Sequence, residues 1–294
     1  MSVNYRPRRS VLYMPAANER ALEKAKNLEA DALIFDLEDA VSPENKELAR
    51  DQACAAASSS EYGHRELTIR CNGLDTPWGT DDVLAAAAAA PAAVVIPKVD
   101  GPDYLDQVST LLDKGGAPPS TRIWAMVETP SGILKVDQIA GHERIAVMVM
   151  GTNDMAKELR ATITPNRHAL LPYLAKCLLS ARAADIGILD GVYNDINDET
   201  GFSSVCLQGA QMGFDGKTLI HPRQLAAANK IFAPSDGDIA EADIIVTAFE
   251  QAQAAGKGVV VVNGQLVENL HVAAARRLLD LANTIEARQN SAVT

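Results

Sequence analysis

The chain is poor in basic charge: 27 Lys and Arg stand against 38 Asp and Glu, a formal net charge of −11. That balance argues against a nucleic-acid or anionic-membrane surface. Long apolar runs are missing too. The most apolar stretch, 83–97, is mostly alanine and carries Pro91, far from the ~20 strongly apolar residues a membrane helix needs. Cysteine is scarce, at positions 54, 71, 177 and 206 with no Cys-x-x-Cys spacing, so neither a zinc knuckle nor a disulfide framework is indicated. The four read as reduced, partly buried small hydrophobes. There is no Gly-x-Ser-x-Gly elbow, Walker loop or glycine fingerprint after the first strand, which weakens hydrolase, phosphotransferase and dinucleotide readings. The first ten residues are basic, but the apolar run Val11–Pro15 is too short for a signal-peptide core. A cytoplasmic protein is expected.

What is present is a chain of 294 residues, 47% hydrophobic and 22% charged, the profile of a soluble globular protein. Short β-rich apolar runs alternate with longer amphipathic or alanine-rich segments, the mark of a parallel sheet wrapped by helices. Strands are expected at 10–16, 32–38, 67–72, 93–99, 122–128, 144–151, 187–193 and 216–221. Helical patterns lie between them, such as 18–29, where Leu22, Ala25 and Leu28 recur, and 44–57 behind Pro43. Eight strand-plus-helix units fit an α/β fold closed as a (β/α)8 TIM barrel; a doubly wound open sheet is the other topology such alternation permits. The expected catalytic barrel spans 1–233. Residues 234–294 form a C-terminal appendage: a turn at Pro234-Ser235-Asp236-Gly237, a helix near 238–255, a strand-like run at 258–264 and a helix near 270–288.

In such a barrel the chemistry sits at the C-terminal ends of the strands. Those ends are loaded: Asp36, Glu38 and Asp39, Arg70 and Asn72, Lys98, Glu128, Asn153 and Asp154, Asp190, and His221. Glu128 and Asp154 end neighbouring apolar strands, and two convergent carboxylates suit Mg²⁺, which takes oxygen ligands and keeps positions for water or substrate. The alternative is that Asn153 or Asp154 caps the following helix. Arg70 is either an internal ion pair with Asp36, Glu38 or Asp39, or a clamp for a substrate carboxylate or oxyanion. Lys98 is an ion-pair partner or a Schiff-base nucleophile. For His221, before Pro222, a structural hydrogen-bonded role stands beside a general-base role.

Several segments together resemble the citrate lyase β-subunit-like and malyl-CoA lyase enzymes of the phosphoenolpyruvate/pyruvate-type barrels, nearly end to end. They include Arg9-Ser10-Val11-Leu12-Tyr13-Met14-Pro15, Phe35-Asp36-Leu37-Glu38-Asp39-Ala40-Val41, Thr68-Ile69-Arg70-Cys71-Asn72, Pro97-Lys98-Val99, Val127-Glu128-Thr129-Pro130-Ser131-Gly132, Gly151-Thr152-Asn153-Asp154-Met155-Ala156, Asp190-Gly191-Val192-Tyr193 and Gly213–Lys217 leading to Ile220-His221-Pro222. The resemblance implies a carbon–carbon lyase that cleaves or forms a malyl-, citramalyl- or citryl-type CoA thioester, with glyoxylate, pyruvate or oxaloacetate as keto acid. Mg²⁺, or Mn²⁺, would be held at Glu128 and Asp154. Arg70 would contact the keto acid, with Asp36, Glu38 and Asp39 organising it together with Lys98. Arg9, Lys98, Gly151 and Asn153 are implied on the substrate or CoA side, and His221 in a supporting place behind it.

The family's appendage commonly carries an aspartate as base, supplied to a neighbouring subunit; this chain has Glu268 there, in Asn263-Gly264-Gln265-Leu266-Val267-Glu268. The resemblance also implies a homo-oligomer, a trimer or hexamer. Related outcomes are hydrolysis of malyl-CoA, a CoA-independent keto-acid aldolase working through Lys98, and a non-catalytic subunit that depends on an acyl-carrier partner.

Overall fold

The computed structural model of the chain describes residues 6–292. Eight parallel strands close into a barrel: β1 (Ser10–Pro15), β2 (Ala32–Asp36), β3 (Glu66–Arg70), β4 (Ala93–Ile96), β5 (Arg122–Val127), β6 (Ile145–Met150), β7 (Gly187–Asp190) and β8 (Gly216–Leu219). Closure is made by β8 pairing with β1, with Ser10 opposite Lys217. Alternation permitted an open sheet; the closed one leaves no unpaired edge. Helices follow the strands and cover the outside. No helix among the described residues is long and apolar enough to cross a membrane.

Side chains alternate across each strand, and both faces are buried. Leu33 and Phe35 face outward into the large core shared with the helices, while Ala32 and Ile34 face into the lumen with Val11, Val95, Trp124 and Val149. The same period carries the lumen upward to Asp36, the last residue of β2. Register then decides its neighbour: Asp36 lies opposite Pro15 on one side and Arg70 on the other. An apolar plug therefore fills the middle of the barrel, and the inward positions turn charged at its ends: Glu66, paired with Arg8, where β3 begins, and Asp36 and Arg70 at the C-terminal mouth.

Strands end one to three residues before the pattern suggests, so that Glu38, Asn72, Lys98, Glu128 and His221 belong to the loops that follow. The first helix is Glu19–Ala25 and not 18–29; Asn18 caps it through its side chain, accepting from the Ala21 N–H at 3.1 Å. Beyond it, the Leu28 carbonyl accepts from the Arg65 guanidinium at 2.7 Å.

Arg8–Phe232 forms one compact unit, and the residues from Ala233 onward form a second with Arg6 and Pro7. The second unit contains the helix Asp236–Ala254, capped by Ser235, and the helix Asn269–Ala292. Between them the expected single strand is a hairpin, β9 (Val260–Val262) and β10 (Gln265–Val267). Asn263 and Gly264 both have positive φ, 48° and 80°, the conformation that a two-residue hairpin turn needs and that Asn-Gly adopts readily. Phe249, Val262, Val267 and Val272 form the core of this unit.

Candidate active site

A cavity of about 320 Å³ opens at the C-terminal end of the barrel, with Tyr13, Asp36, Arg70, Met126, Glu128 and Asp154 in its wall. Arg70 and Asp36 face each other across β2 and β3, so they meet as a two-pronged pair, Nε to Oδ1 and Nη2 to Oδ2, both 2.6 Å. The Arg70 Nη1 lies 2.7 Å from Glu38 Oε2 and 3.6 Å from Asp39 Oδ2. The Tyr13 ring covers the guanidinium, with its centroid 4.8 Å from Cζ. Burial disfavours the charge on Arg70, but the Asp36 carboxylate and its hydrogen bonds more than offset that. The ion-pair reading of Arg70 thus holds, and it does not exhaust the residue. The carboxylate contacts take three of the five N–H donors of a guanidinium; a second Nη1 contact reaches only the Met126 sulfur, a weak acceptor, at 4.0 Å, and one Nη2 N–H is left over in a side chain that lines the cavity.

Glu128 follows β5 and is 2% exposed. Its Oε1 accepts a hydrogen bond from the Lys98 backbone N–H at 2.9 Å. Lys98 adopts φ 49° to present that N–H, a left-handed conformation that is costly for a residue with a Cβ. The other oxygen lies against Gly151, where a Cβ would run into Oε2, so only glycine leaves this carboxylate its place. Burial pushes the Glu128 carboxyl up to about 7; the Lys98 N–H opposes this, Asp154 adds to it, and Arg70 opposes it. Burial likewise pushes Glu38 up to about 8, with Arg70 opposing and Asp39, Glu128 and Asp36 adding.

Asp154 sits in the first turn of the helix Thr152–Glu158, whose N-cap Gly151 supplies no side chain. The capping alternative fails for both candidates. Asp154 makes no hydrogen bond or ion pair through its carboxylate among the described residues, and Asn153 exchanges two amide hydrogen bonds with Asn194, at 3.2 and 3.0 Å. Two mutually repelling carboxylates therefore border one cavity with oxygen atoms uncommitted. Among the described residues no group of three or more His, Cys, Asp and Glu is placed to hold an ion alone. Two carboxylates on one cavity fit Mg²⁺, which is held by one or two carboxylates and completes its shell with water and substrate oxygen.

Other expected residues fall elsewhere. Arg9 precedes β1, at the barrel end opposite the cavity, and grips Asp31 with Nε and Nη2 at 2.8 and 2.9 Å. It is structural and has no place at the CoA side, because residues before a strand begin lie at the wrong end of the barrel. The Lys98 side chain is exposed and outside the cavity wall; what the site uses is its backbone. His221 caps the short helix Pro222–Gln224, its Nδ1 accepting from the Arg223 N–H at 3.1 Å, which is the structural role. Asp190 faces outward and is pinned between barrel and helices by Arg167 and Lys217, at 2.7 and 2.9 Å. Glu268 lies in the second unit, exposed, its backbone N–H donating to His271 Nδ1 at the start of the last helix. Tyr13, Thr218 and Asn194 line the cavity without having been singled out from sequence. For Tyr13 and Thr218 the signal was available: they share the two-residue phase that puts Asp36 and Arg70 inward.

Comparison with known proteins agrees with this geometry. The chain is 49% identical to a (3S)-malyl-CoA thioesterase of Cereibacter sphaeroides over 281 residues, 96% of either chain. It is 36% identical to the citrate lyase subunit beta of Escherichia coli, covering 94% of both. The crystal structure of protein CitE from Mycobacterium tuberculosis, in complex with magnesium, acetoacetate and coenzyme A, superposes with a TM-score of 0.75 at 25% identity, covering 94% of this chain and 98% of that one. Residues 9–222 match the family model described as HpcH/HpaI aldolase/citrate lyase. Barrel, mouth and sequence agree, and the chain belongs to the HpcH/HpaI aldolase/citrate lyase family.

Proposed function

We propose that the protein is a Mg²⁺-dependent enzyme that hydrolyses a malyl-type CoA thioester to the free hydroxy acid and CoA. The observation that carries this reading is the acid pair beside a guanidinium at the mouth of a barrel, in a chain 49% identical end to end to a (3S)-malyl-CoA thioesterase. The absence of a serine elbow weakened a hydrolase reading, but a site built on carboxylates and a metal needs none. Glu128 and Asp154 would hold Mg²⁺, which supplies Lewis-acid polarisation of a substrate oxygen and an anchor for an adjacent carboxylate. Arg70, its plane fixed by Asp36 and Glu38, turns its remaining N–H donor to the acyl group. Burial of these charges in a narrow cavity strengthens each contact.

A second reading has specific support. The 36% identity to citrate lyase subunit beta favours carbon–carbon cleavage of a malyl-, citramalyl- or citryl-CoA, where electrons collapse into the thioester carbonyl and a keto acid leaves. An imine at Lys98 finds no support in the exposed place of its side chain. Glu268 is the candidate base of the appendage, one methylene longer than the family's aspartate. We also infer a homo-oligomer, a trimer or hexamer, in which 234–294 covers a neighbour's mouth; the exposure of the paired Val261 and Leu266, 66% and 54%, supports a covered hairpin. An acyl-carrier partner is the less supported arrangement.

A mass-spectrometric screen of malyl-, methylmalyl-, citramalyl- and citryl-CoA, with and without EDTA, tests this. Hydrolysis gives hydroxy acid and CoA; the lyase gives keto acid and a shorter acyl-CoA. Turnover that persists in EDTA and in both Glu128→Ala and Glu268→Ala refutes the metal mechanism.

A further inference from the structure

Tyr13 occupies an inward position of β1, and the guanidinium of Arg70 lies over its ring, Cζ 4.8 Å from the centroid. Among the described residues its phenol oxygen has one hydrogen-bond partner, the Met126 sulfur at 3.9 Å. A thioether is a weak acceptor, so the O–H proton is in effect uncommitted, inside the wall of the cavity. Of the other polar groups in or beside that wall, Asp36 and Glu38 hold Arg70 and Asn153 holds Asn194, and the uncommitted oxygens of Glu128 and Asp154 are carboxylate acceptors that can donate no proton while ionised. Burial keeps the phenol protonated, raising its pKa, with Arg70 opposing and Asp36, Glu128 and Glu38 reinforcing. A neutral donor fixed beside a cation in the wall of a cavity is the arrangement that stabilises an oxygen gaining charge.

We propose that Tyr13 is a further catalytic residue, its phenol O–H donating to the thioester carbonyl oxygen of the bound acyl group as that oxygen becomes negative. The inference rests on the thioester reading above. In hydrolysis the water oxygen bonds to the carbonyl carbon and the π pair moves onto the carbonyl oxygen. Collapse restores the double bond and breaks C–S, and the departing thiolate takes the proton lost by the water. Tyr13 keeps its proton throughout. In carbon–carbon cleavage the same oxygen carries the enolate charge, so the donor has the same work in either reaction.

The test is Tyr13→Phe, which keeps the ring over Arg70 and deletes only the hydroxyl. With the thioester that the wild type turns over, kcat should fall about 100-fold, the typical effect of losing one such donor, with KM within about twofold. Mg²⁺ affinity by calorimetry and Tm should match the wild type. A kcat within about threefold of wild type overturns the inference, as does a change confined to KM, or a loss of Mg²⁺ affinity that parallels the loss of rate. A wild type that turns over no thioester overturns the thioester reading and this inference with it; an active wild type with an equally active Tyr13→Phe overturns the inference alone.

Discussion

Replacing Glu128 by Gln separates the charge of this carboxyl from its shape. The amide oxygen can still accept the Lys98 N–H, and the volume is unchanged, so the substitution removes one negative charge from beside Asp154. The carboxyl is held near 7 against an ordinary 4.5, a difference of about 3 kcal/mol at 1.36 kcal/mol per pH unit. The sign follows from proton linkage. Because the folded state binds this proton more tightly than the unfolded chain, its contribution is fully present below pH 4.5 and is lost as pH rises through about 7. In EDTA, Glu128→Gln should therefore match the wild type near pH 4.5 and exceed it by about 3 kcal/mol at alkaline pH, a Tm higher by roughly 5–10 °C. Mg²⁺ at 1,000 times its Kd should reverse the order, since it adds about 4.1 kcal/mol to the wild type and little to the variant. Thermal or urea unfolding in EDTA and in Mg²⁺, across that pH range, reads both effects. A variant less stable than wild type at alkaline pH in EDTA, or one that Mg²⁺ stabilises equally, would refute the assignment.

Three further outcomes follow from the same geometry. Gly151→Ala should abolish Mg²⁺ binding while the barrel still folds, because its Cβ would occupy the space of Glu128 Oε2; calorimetric titration with circular dichroism checks it. Lys98→Gly should bind Mg²⁺ within about twofold of wild type, whereas Lys98→Val, whose branched Cβ resists φ 49°, should bind at least about tenfold more weakly; equal losses in both would mean that the ammonium matters and not the backbone. Arg9→Met should leave KM for the CoA thioester unchanged yet cost roughly 1.5–3 kcal/mol in denaturant unfolding, since it removes the guanidinium from the buried Asp31 carboxylate while the backbone N–H of residue 9 stays in place.

How much of this was legible in the sequence depends on which physical rule acted. Period-two apolar runs interrupted by helical patterns specify strands that must be buried on both faces, and that fixes the barrel segments within a few residues. The same pattern puts charges at the strand ends, so Asp36, Arg70, Glu128 and Asp154 could be singled out by position. The hairpin in the appendage was written as Asn263-Gly264 between apolar residues, but a short valine run looks the same in a single strand.

Pairing across strands was not written there. Whether Arg70 meets Asp36 or a substrate depends on register between β2 and β3, which no local pattern contains. That Asp190 turns outward, that Arg9 closes the far end on Asp31, and that Lys98 serves through its backbone N–H each depend on which face or which end of the closed barrel a residue reaches. Local sequence determined the elements and the kinds of side chain at their ends, because propensity and burial act over a few residues. Only closure of the barrel decided which of those groups share a cavity, because that choice is made between residues far apart in the chain.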